Sequence, residues 1–311
     1  MPSSQSGVAV VGSANMDVVF VVTRAPRPGE TLLAERAALY PGGKGLNQAV
    51  AAARAGAVTT FIGAVGRDDH GAALTRVLDD DGLDRRQLRL SDESTGQAFI
   101  VVDAAGENAI VVASGANATV DSMTDADAAA ISQSSVLLMQ LELPLSAVAD
   151  AARVAGAAGV AVMLNAAPAA SVPADLVGLL DYLVVNEHEA CLVAGIKDLA
   201  AASAKLAVLV PRLVVTLGSD GCVLYDGGSE FARIPARPVE VVDTTGAGDT
   251  FCGALAAALA EGSPGSRSAA HADLGDFERA AIFATAAAAL SVQKAGAVPS
   301  IPSRREIDAT L

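Results

Sequence analysis

Short apolar runs of strand length alternate along this chain with longer, alanine-rich stretches of helix length. Val8 to Val11, Thr59 to Gly63, Val136 to Met139, Val160 to Asn165, Tyr182 to Val185 and Leu213 to Leu217 are largely apolar without a polar face. That is the pattern of strands covered on both sides. Their alternation with helical segments predicts an α/β fold, a mainly parallel sheet flanked by helices. Two other pairs of runs stand apart. Met16 to Thr23 and Thr31 to Tyr40 flank a turn holding Pro26 and Pro28, and Gly96 to Asp103 and Asn108 to Ala113 flank residues 104–107. Both read as hairpins outside the main sheet, forming a small β lid from residues 16–40 and 96–113. Phe20-Val21-Val22 and Phe99-Ile100-Val101-Val102 are continuously apolar, so both faces of that thin sheet need cover.

The pattern changes most sharply at Val242-Asp243-Thr244-Thr245-Gly246-Ala247-Gly248-Asp249-Thr250-Phe251-Cys252-Gly253, followed by an apolar helical run. Gly248 and Asp249 fall at the helix start, where free backbone N–H groups and the helix dipole favour negative charge. A carboxylate beside such a site suits base-assisted transfer of a phosphoryl group to a hydroxyl. Taken alone, the same residues read more readily as an N-cap aspartate after a glycine turn.

Other polar residues collect where strands end. Asn15 and Asp17 follow the first strand at its C-terminal end, where open α/β sheets bind ligands, although an Asx turn or a cap explains either one. Gly42-Gly43-Lys44-Gly45 is not a Walker loop, because Gly45 stands where Ser or Thr is required. A helix from about Gly45 to Ala55 instead presents backbone, Lys44 and Asn47 to one place, donors and acceptors suited to ligand hydroxyls; a solvated lysine on a first helical turn is the plainer alternative. Gln140 and Glu142 end another strand, and Asn186-Glu187-His188-Glu189 a third. His188 has no ligand partner at helical spacing and reads as a surface histidine. Thr216 to Gly221 makes a turn in which Gly218 and Gly221 permit close backbone approach.

At 311 residues, 52% hydrophobic and 18% charged, the chain has the size of one large domain spanning 1–311. Its net charge of -14, with no basic stripe, argues against nucleic acid. An acidic protein that binds a nucleotide must build positive potential locally, from helix N-termini, a lysine and Mg2+. The mean hydropathy of +0.43 is spread over many short segments, so no membrane span is expected. Met1 to Gly7 lacks the parts of a secretory signal. Cys191, Cys222 and Cys252 match neither a zinc site nor a disulfide framework and read as reduced thiols in a cytoplasmic protein; Cys252, one turn past Asp249, leaves a functional thiol as the minor alternative.

Six segments in a single order carry a resemblance. They are Gly12-Ser13-Ala14-Asn15-Met16-Asp17, Pro28-Gly29-Glu30, Gly42 to Gln48, Asn186 to Glu189, Thr216-Leu217-Gly218-Ser219, and Asp243 to Gly253. From about Val8 to Ile307 the chain resembles the ribokinase-like carbohydrate kinases, the PfkB family. The resemblance implies the family fold with its lid, and ATP-dependent phosphorylation of D-ribose on the 5-hydroxyl. It implies Asp249 as base and the N–H groups of Gly246, Ala247 and Gly248 as the anion hole. Asn15, Asp17, Gly43, Lys44, Asn47, Glu142 and Asp249 would hold the sugar, with a solvent-facing loop the competing reading of Glu142. Asn186, Thr216, Gly218, Ser219, Gly221 and Gly248 would meet the nucleotide, and Glu189 would reach Mg2+ through water. Asp243, Thr245, Ser291, Lys294, Gly296 and Ser300 would enclose a monovalent cation, K+. One lid face would close over the sugar and the other would meet a second subunit, giving a homodimer.

Fructose, deoxyribose and nucleoside kinases share nearly all these motifs, and a non-catalytic sugar sensor could keep the pocket but has no need of a base. Two departures stand out. Residues 261–275 run roughly a dozen residues longer than the family pattern and read as a surface loop. Thr285 stands where a His or Asn often lies near the base.

Overall fold

The computed structural model describes residues 7–104, 106, 108–262 and 273–311. In chain order the strands are β1 (Gly7–Val11), β2 (Asn15–Val21), β3 (Arg36–Gly42), β4 (Val58–Gly66), β5 (Asp84–Ser91), β6 (Gly96–Val102), β7 (Asn108–Ala113), β8 (Val136–Met139), β9 (Ala161–Asn165), β10 (Tyr182–Asn186), β11 (Arg212–Thr216), β12 (Cys222–Asp226) and β13 (Ser229–Ile234). The helices are α1 (Lys44–Arg54), α2 (Asp69–Asp80), α3 (Asp125–Ser132), α4 (Leu145–Ala158), α5 (Ala174–Val177), α6 (Glu187–Ala194), α7 (Leu199–Leu209), α8 (Ala247–Glu261), α9 (Leu274–Ser291) and α10 (Arg304–Asp308). The expectations for residues 1–6 and for most of 261–275 fall outside the described residues, as do residues 105 and 107 of the lid turn.

The main sheet has the order β13-β12-β11-β10-β9-β8-β1-β4-β5. From β5 to β11 every pairing is parallel; only β12 and β13 add antiparallel at one edge. Successive side chains of a strand point to opposite faces, and the fully buried run of β1 shows what each face meets. Val8 and Val10 pack with Leu46 of α1, Leu255 of α8 and Phe277 of α9. Ala9 and Val11 pack with Val148 of α4, Ala190 of α6 and Leu206 of α7. The continuous apolar runs are therefore the signature of a sheet with helices on both sides. Small residues let the helices come close: a Cβ on Gly253 of α8 would lie 2.4 Å from the Gln48 carbonyl oxygen on α1.

The lid is a separate four-stranded sheet, β3-β2-β6-β7, whose two hairpins join through the parallel pair β2 and β6. Its second strand begins at Arg36 rather than Thr31. Register places Leu39, Val18, Phe99 and Val111 in one cross-strand row. Asp17 lies on the opposite face, with Val19, Ile100 and Ile110.

Sequence pattern misses the two sheet edges. In β5, Asp84-Arg85-Arg86-Gln87-Leu88-Arg89-Leu90-Ser91, charge dominates because an edge strand needs little cover. The β12–β13 hairpin turns at Gly227-Gly228, a local turn signal rather than an apolar run. Among the described residues no helix is long and apolar enough to cross a membrane.

Candidate active site

Asp249 lies in the first turn of α8, as the glycine-rich segment predicts. The helix begins one residue earlier than expected, at Ala247, with Gly246 as its N-cap at φ 75, a left-handed conformation that glycine adopts without cost. One detail of the expected anion hole is corrected. The Ala247 N–H is turned into the preceding loop and donates to the Thr244 carbonyl at 3.2 Å, because the chain must close a turn before the helix can start. Among the described residues the N–H groups of Gly246, Gly248 and Asp249 itself make no hydrogen bond.

The Asp249 carboxylate is 8% exposed and is held by the neighbouring helix. Asn47 Nδ2 donates to its Oδ2 at 2.9 Å, and Gln48 Nε2 to its Oδ1 at 2.9 Å. These amides belong to α1, whose N-cap is Gly43 at φ 91. Gly42 is equally constrained: a Cβ there would sit 2.2 Å from Asp17 Oδ2. Glu142 accepts the Lys44 N–H at 3.0 Å and the Ser13 hydroxyl at 2.5 Å, so it caps the start of α1 and is not a solvent-facing loop residue. Asn15 is buried, and its Oδ1 accepts from Asn117 Nδ2 at 2.7 Å.

Lys44 thus lies among the carboxylates of Asp17, Glu142, Asp249 and Glu189. Burial, with Glu142 and Asp249 nearby, pushes the Asp17 carboxyl up to about 7. Burial also works to lower Lys44, but Asp249, Glu142 and Glu189 outweigh it and hold the ammonium above its ordinary value. Burial pushes the Cys252 thiol well up, with Asp249 and Glu189 adding to the effect, which leaves it an inert core thiol.

Asn186 and Glu189 form a capping box at the start of α6: Glu189 N–H donates to Asn186 Oδ1, and Asn186 N–H to Glu189 Oε2, both at 2.8 Å. They also line a cavity of about 220 Å3 together with Lys44, Thr216, Gly248 and Asp249. A larger cavity of about 480 Å3 shares Thr216 and Gly248 with it and continues past Gly218, Ser219 and Gly221 to Phe251, Thr285 and Val292. Thr285 does face this groove, but its hydroxyl donates to the Ala281 carbonyl at 2.8 Å. His188 is exposed, as expected.

Asp243 ties two distant segments together. Its Oδ1 accepts from Thr245 N–H at 2.9 Å and its Oδ2 from Gly296 N–H at 2.8 Å. Burial favours the neutral acid, yet these bonds win and keep Asp243 below its ordinary range. Ser291 and Ser300 donate their hydroxyls to the Ala288 and Ala297 carbonyls. The Lys294 ammonium pairs with Glu306 at 3.2 Å; having no lone pair, it could serve a cation site only through the residue's backbone carbonyl.

Sequence reasoning does not single out Gln48, Asn117 or Asn165 for a role. Asn165 ends β9 and carries a findable signal, since ligand-facing residues cluster at the C-terminal ends of parallel strands. Asn117 sits in a single 3-10 turn, Gly115–Thr119, and shows its role only in three dimensions.

A buried carboxylate beside helix N–H groups that make no hydrogen bond among the described residues can take up a proton while a phosphoryl group passes, the arrangement of a phosphotransferase acting on an alcohol. The chain belongs to the pfkB family of carbohydrate kinases, matched over residues 5–304. It is 40% identical over 307 residues to the ribokinase of Haemophilus influenzae, covering 96% of each chain. To the Bacillus subtilis ribokinase it is 38% identical over 309 residues, covering 98% of this chain and 99% of that one. Its fold matches the solved structure of Arabidopsis thaliana ribokinase complexed with ribose and ATP, with a TM-score of 0.88 and 34% identity over 98% of both chains.

Proposed function

We propose that this kinase transfers the γ-phosphoryl group of ATP to the 5-hydroxyl of D-ribose, giving ADP and D-ribose 5-phosphate. The observation that carries the reading is the setting of Asp249, buried beside the open N-terminus of α8 and held by Asn47 and Gln48. As the sugar oxygen attacks the γ-phosphorus, Asp249 accepts its proton and the bond to the β-phosphate oxygen breaks. The free N–H groups of Gly246 and Gly248, with the dipole of α8, take up charge on the transferring group. Asp17 and Glu142 accept from sugar hydroxyls, Asn15 and Lys44 donate to them, and Gly43 lets the backbone come near. Asn47 Oδ1 is buried without a partner among the described residues, an acceptor waiting for a ligand donor.

Thr216, Gly218, Ser219 and Gly221 border the groove that would take the nucleotide, and Asn186 the chamber for its phosphates. One Glu189 oxygen makes no hydrogen bond among the described residues, which suits contact with Mg2+ through water; Mg2+ would supply positive charge to the phosphate oxygens. A K+ ion would be held by Asp243, Thr245, Ser291, Lys294, Gly296 and Ser300, the last residues largely through backbone carbonyls. The exposed lid row is the surface for a second copy, giving a homodimer. Three unpaired thiols fit a reducing cytoplasm.

The test is ADP release with a panel of pentoses, hexoses and nucleosides, with and without K+. Ribose should give the highest kcat/KM. A higher value for fructose, 2-deoxyribose or a nucleoside would reassign the acceptor, and no release with any acceptor would leave a sugar-binding protein.

A further inference from the structure

Gln48 is fully buried, and both its side-chain N–H groups and its oxygen are hydrogen-bonded. Besides Asp249, its Nε2 donates to Asn165 Oδ1 at 3.0 Å, and its Oε1 accepts from Gln140 Nε2 at 2.7 Å. The direction of each bond is forced. The Val184 backbone carbonyl can only accept, so Asn165 turns its Nδ2 to it at 3.2 Å and its Oδ1 to Gln48. That leaves Gln48 one orientation, nitrogen toward both Asn165 and Asp249, and Gln140 supplies the N–H its oxygen then needs. A flipped amide would set an oxygen against two acceptors.

Close helix packing makes the reach possible. Gly253, one turn beyond Asp249, is where α8 touches the Gln48 backbone, so the first turns of both helices stay in register. Asp249 therefore depends for its orientation on a line of amides running from the middle of β10 through the end of β9 to α1, not on its own helix.

We infer that Gln48, itself oriented by Asn165, is a positioning residue for the base. It fixes Asp249 Oδ1 so that the remaining lone pairs of the carboxylate face the acceptor hydroxyl. This rests on Asp249 being the base, and the experiment separates the two ideas.

Gln48→Met keeps length and volume but removes the amide. Its kcat should fall about tenfold or more, the scale of one hydrogen bond to a charged group, while KM for ribose and for ATP stays within about twofold. Placed in an Asp249→Asn background, the same substitution should change turnover by less than about twofold, because a residue acting only through the base has nothing left to act on. An equal loss in both backgrounds, or full activity of Gln48→Met, overturns the inference. Should Gln48→Met not fold, as its thermal melt would show, Asn165→Ala takes its place: it opens onto the cavity, and its smaller loss of kcat should also vanish in the Asp249→Asn background. If Asp249→Asn alone retains turnover, the base assignment fails first and this inference with it.

Discussion

Asn117 Nδ2 donates to Asn15 Oδ1 at 2.7 Å, and that bond decides what Asn15 can offer a ligand. Asn117 is itself locked to the backbone of Ala14, accepting its N–H at 3.0 Å. With its oxygen turned to Asn117, Asn15 keeps N–H groups that make no hydrogen bond among the described residues, and these suit a sugar hydroxyl oxygen. A sugar without the 2-hydroxyl would leave that donor unpaired, a loss of about 1 to 3 kcal/mol. Ribose should therefore be preferred over 2-deoxyribose by roughly tenfold or more in kcat/KM on that basis. Asn15→Met should shrink the ratio. A wild type that does not discriminate, or a ratio unchanged by the substitution, rules Asn15 out as the reader of that hydroxyl.

Asp249→Asn removes the proton acceptor and also turns an NH2 group toward Asn47 or Gln48, both donors. Turnover should fall roughly 10²- to 10⁴-fold, the range for a lost general base. Ribose binding, followed by calorimetry, should change far less. Retention of more than half the wild-type rate would leave Asp249 without its role.

The raised Asp17 carboxyl links stability to pH. An unfolded aspartate ionises near 3.8, whereas the folded one does so near 7, so between these values the folded state holds a proton that the unfolded chain has released. Stability without sugar should fall as pH rises through that window, and level off above it. Asp17→Asn should flatten the fall in Tm between pH 5 and 7.5 while losing affinity for ribose. Parallel Tm curves for the two proteins would count against a buried, strained carboxylate.

Asp243 joins the turn before α8 to Gly296, so an ion held there would order the anion hole without touching substrate. At constant ionic strength, activity should be clearly higher in K+ than in tetramethylammonium. Equal rates would remove the cation site.

The lid row of Leu39, Phe99 and Val111 is 55%, 39% and 69% exposed, apolar surface that a second lid would cover. Val111→Lys should shift the protein toward monomer in sedimentation, with little change in Tm. A wild type that is already monomeric across micromolar concentrations would exclude the dimer.

What pattern alone determined is local and periodic. Unbroken apolar runs specify strands covered on both faces, and the positions of β1, β8 and β10 follow within a residue or so. Gly246 and Gly248 before Asp249 likewise specify a helix start with a carboxylate on it, because backbone conformation and capping are properties of adjacent residues. The six ordered segments add the family and the candidate roles. Tertiary structure decided the rest, where partners lie far apart in sequence. Only folding sets Gln48 and Asn47 against Asp249, Asn117 against Asn15, and Gly296 against Asp243. Only packing shows that the Ala247 N–H is already taken and the Lys294 ammonium paired with Glu306. The strength and direction of a hydrogen bond, and the ionisation of a buried carboxyl such as Asp17, depend on which groups share a dry site, and no spacing along the chain carries that information.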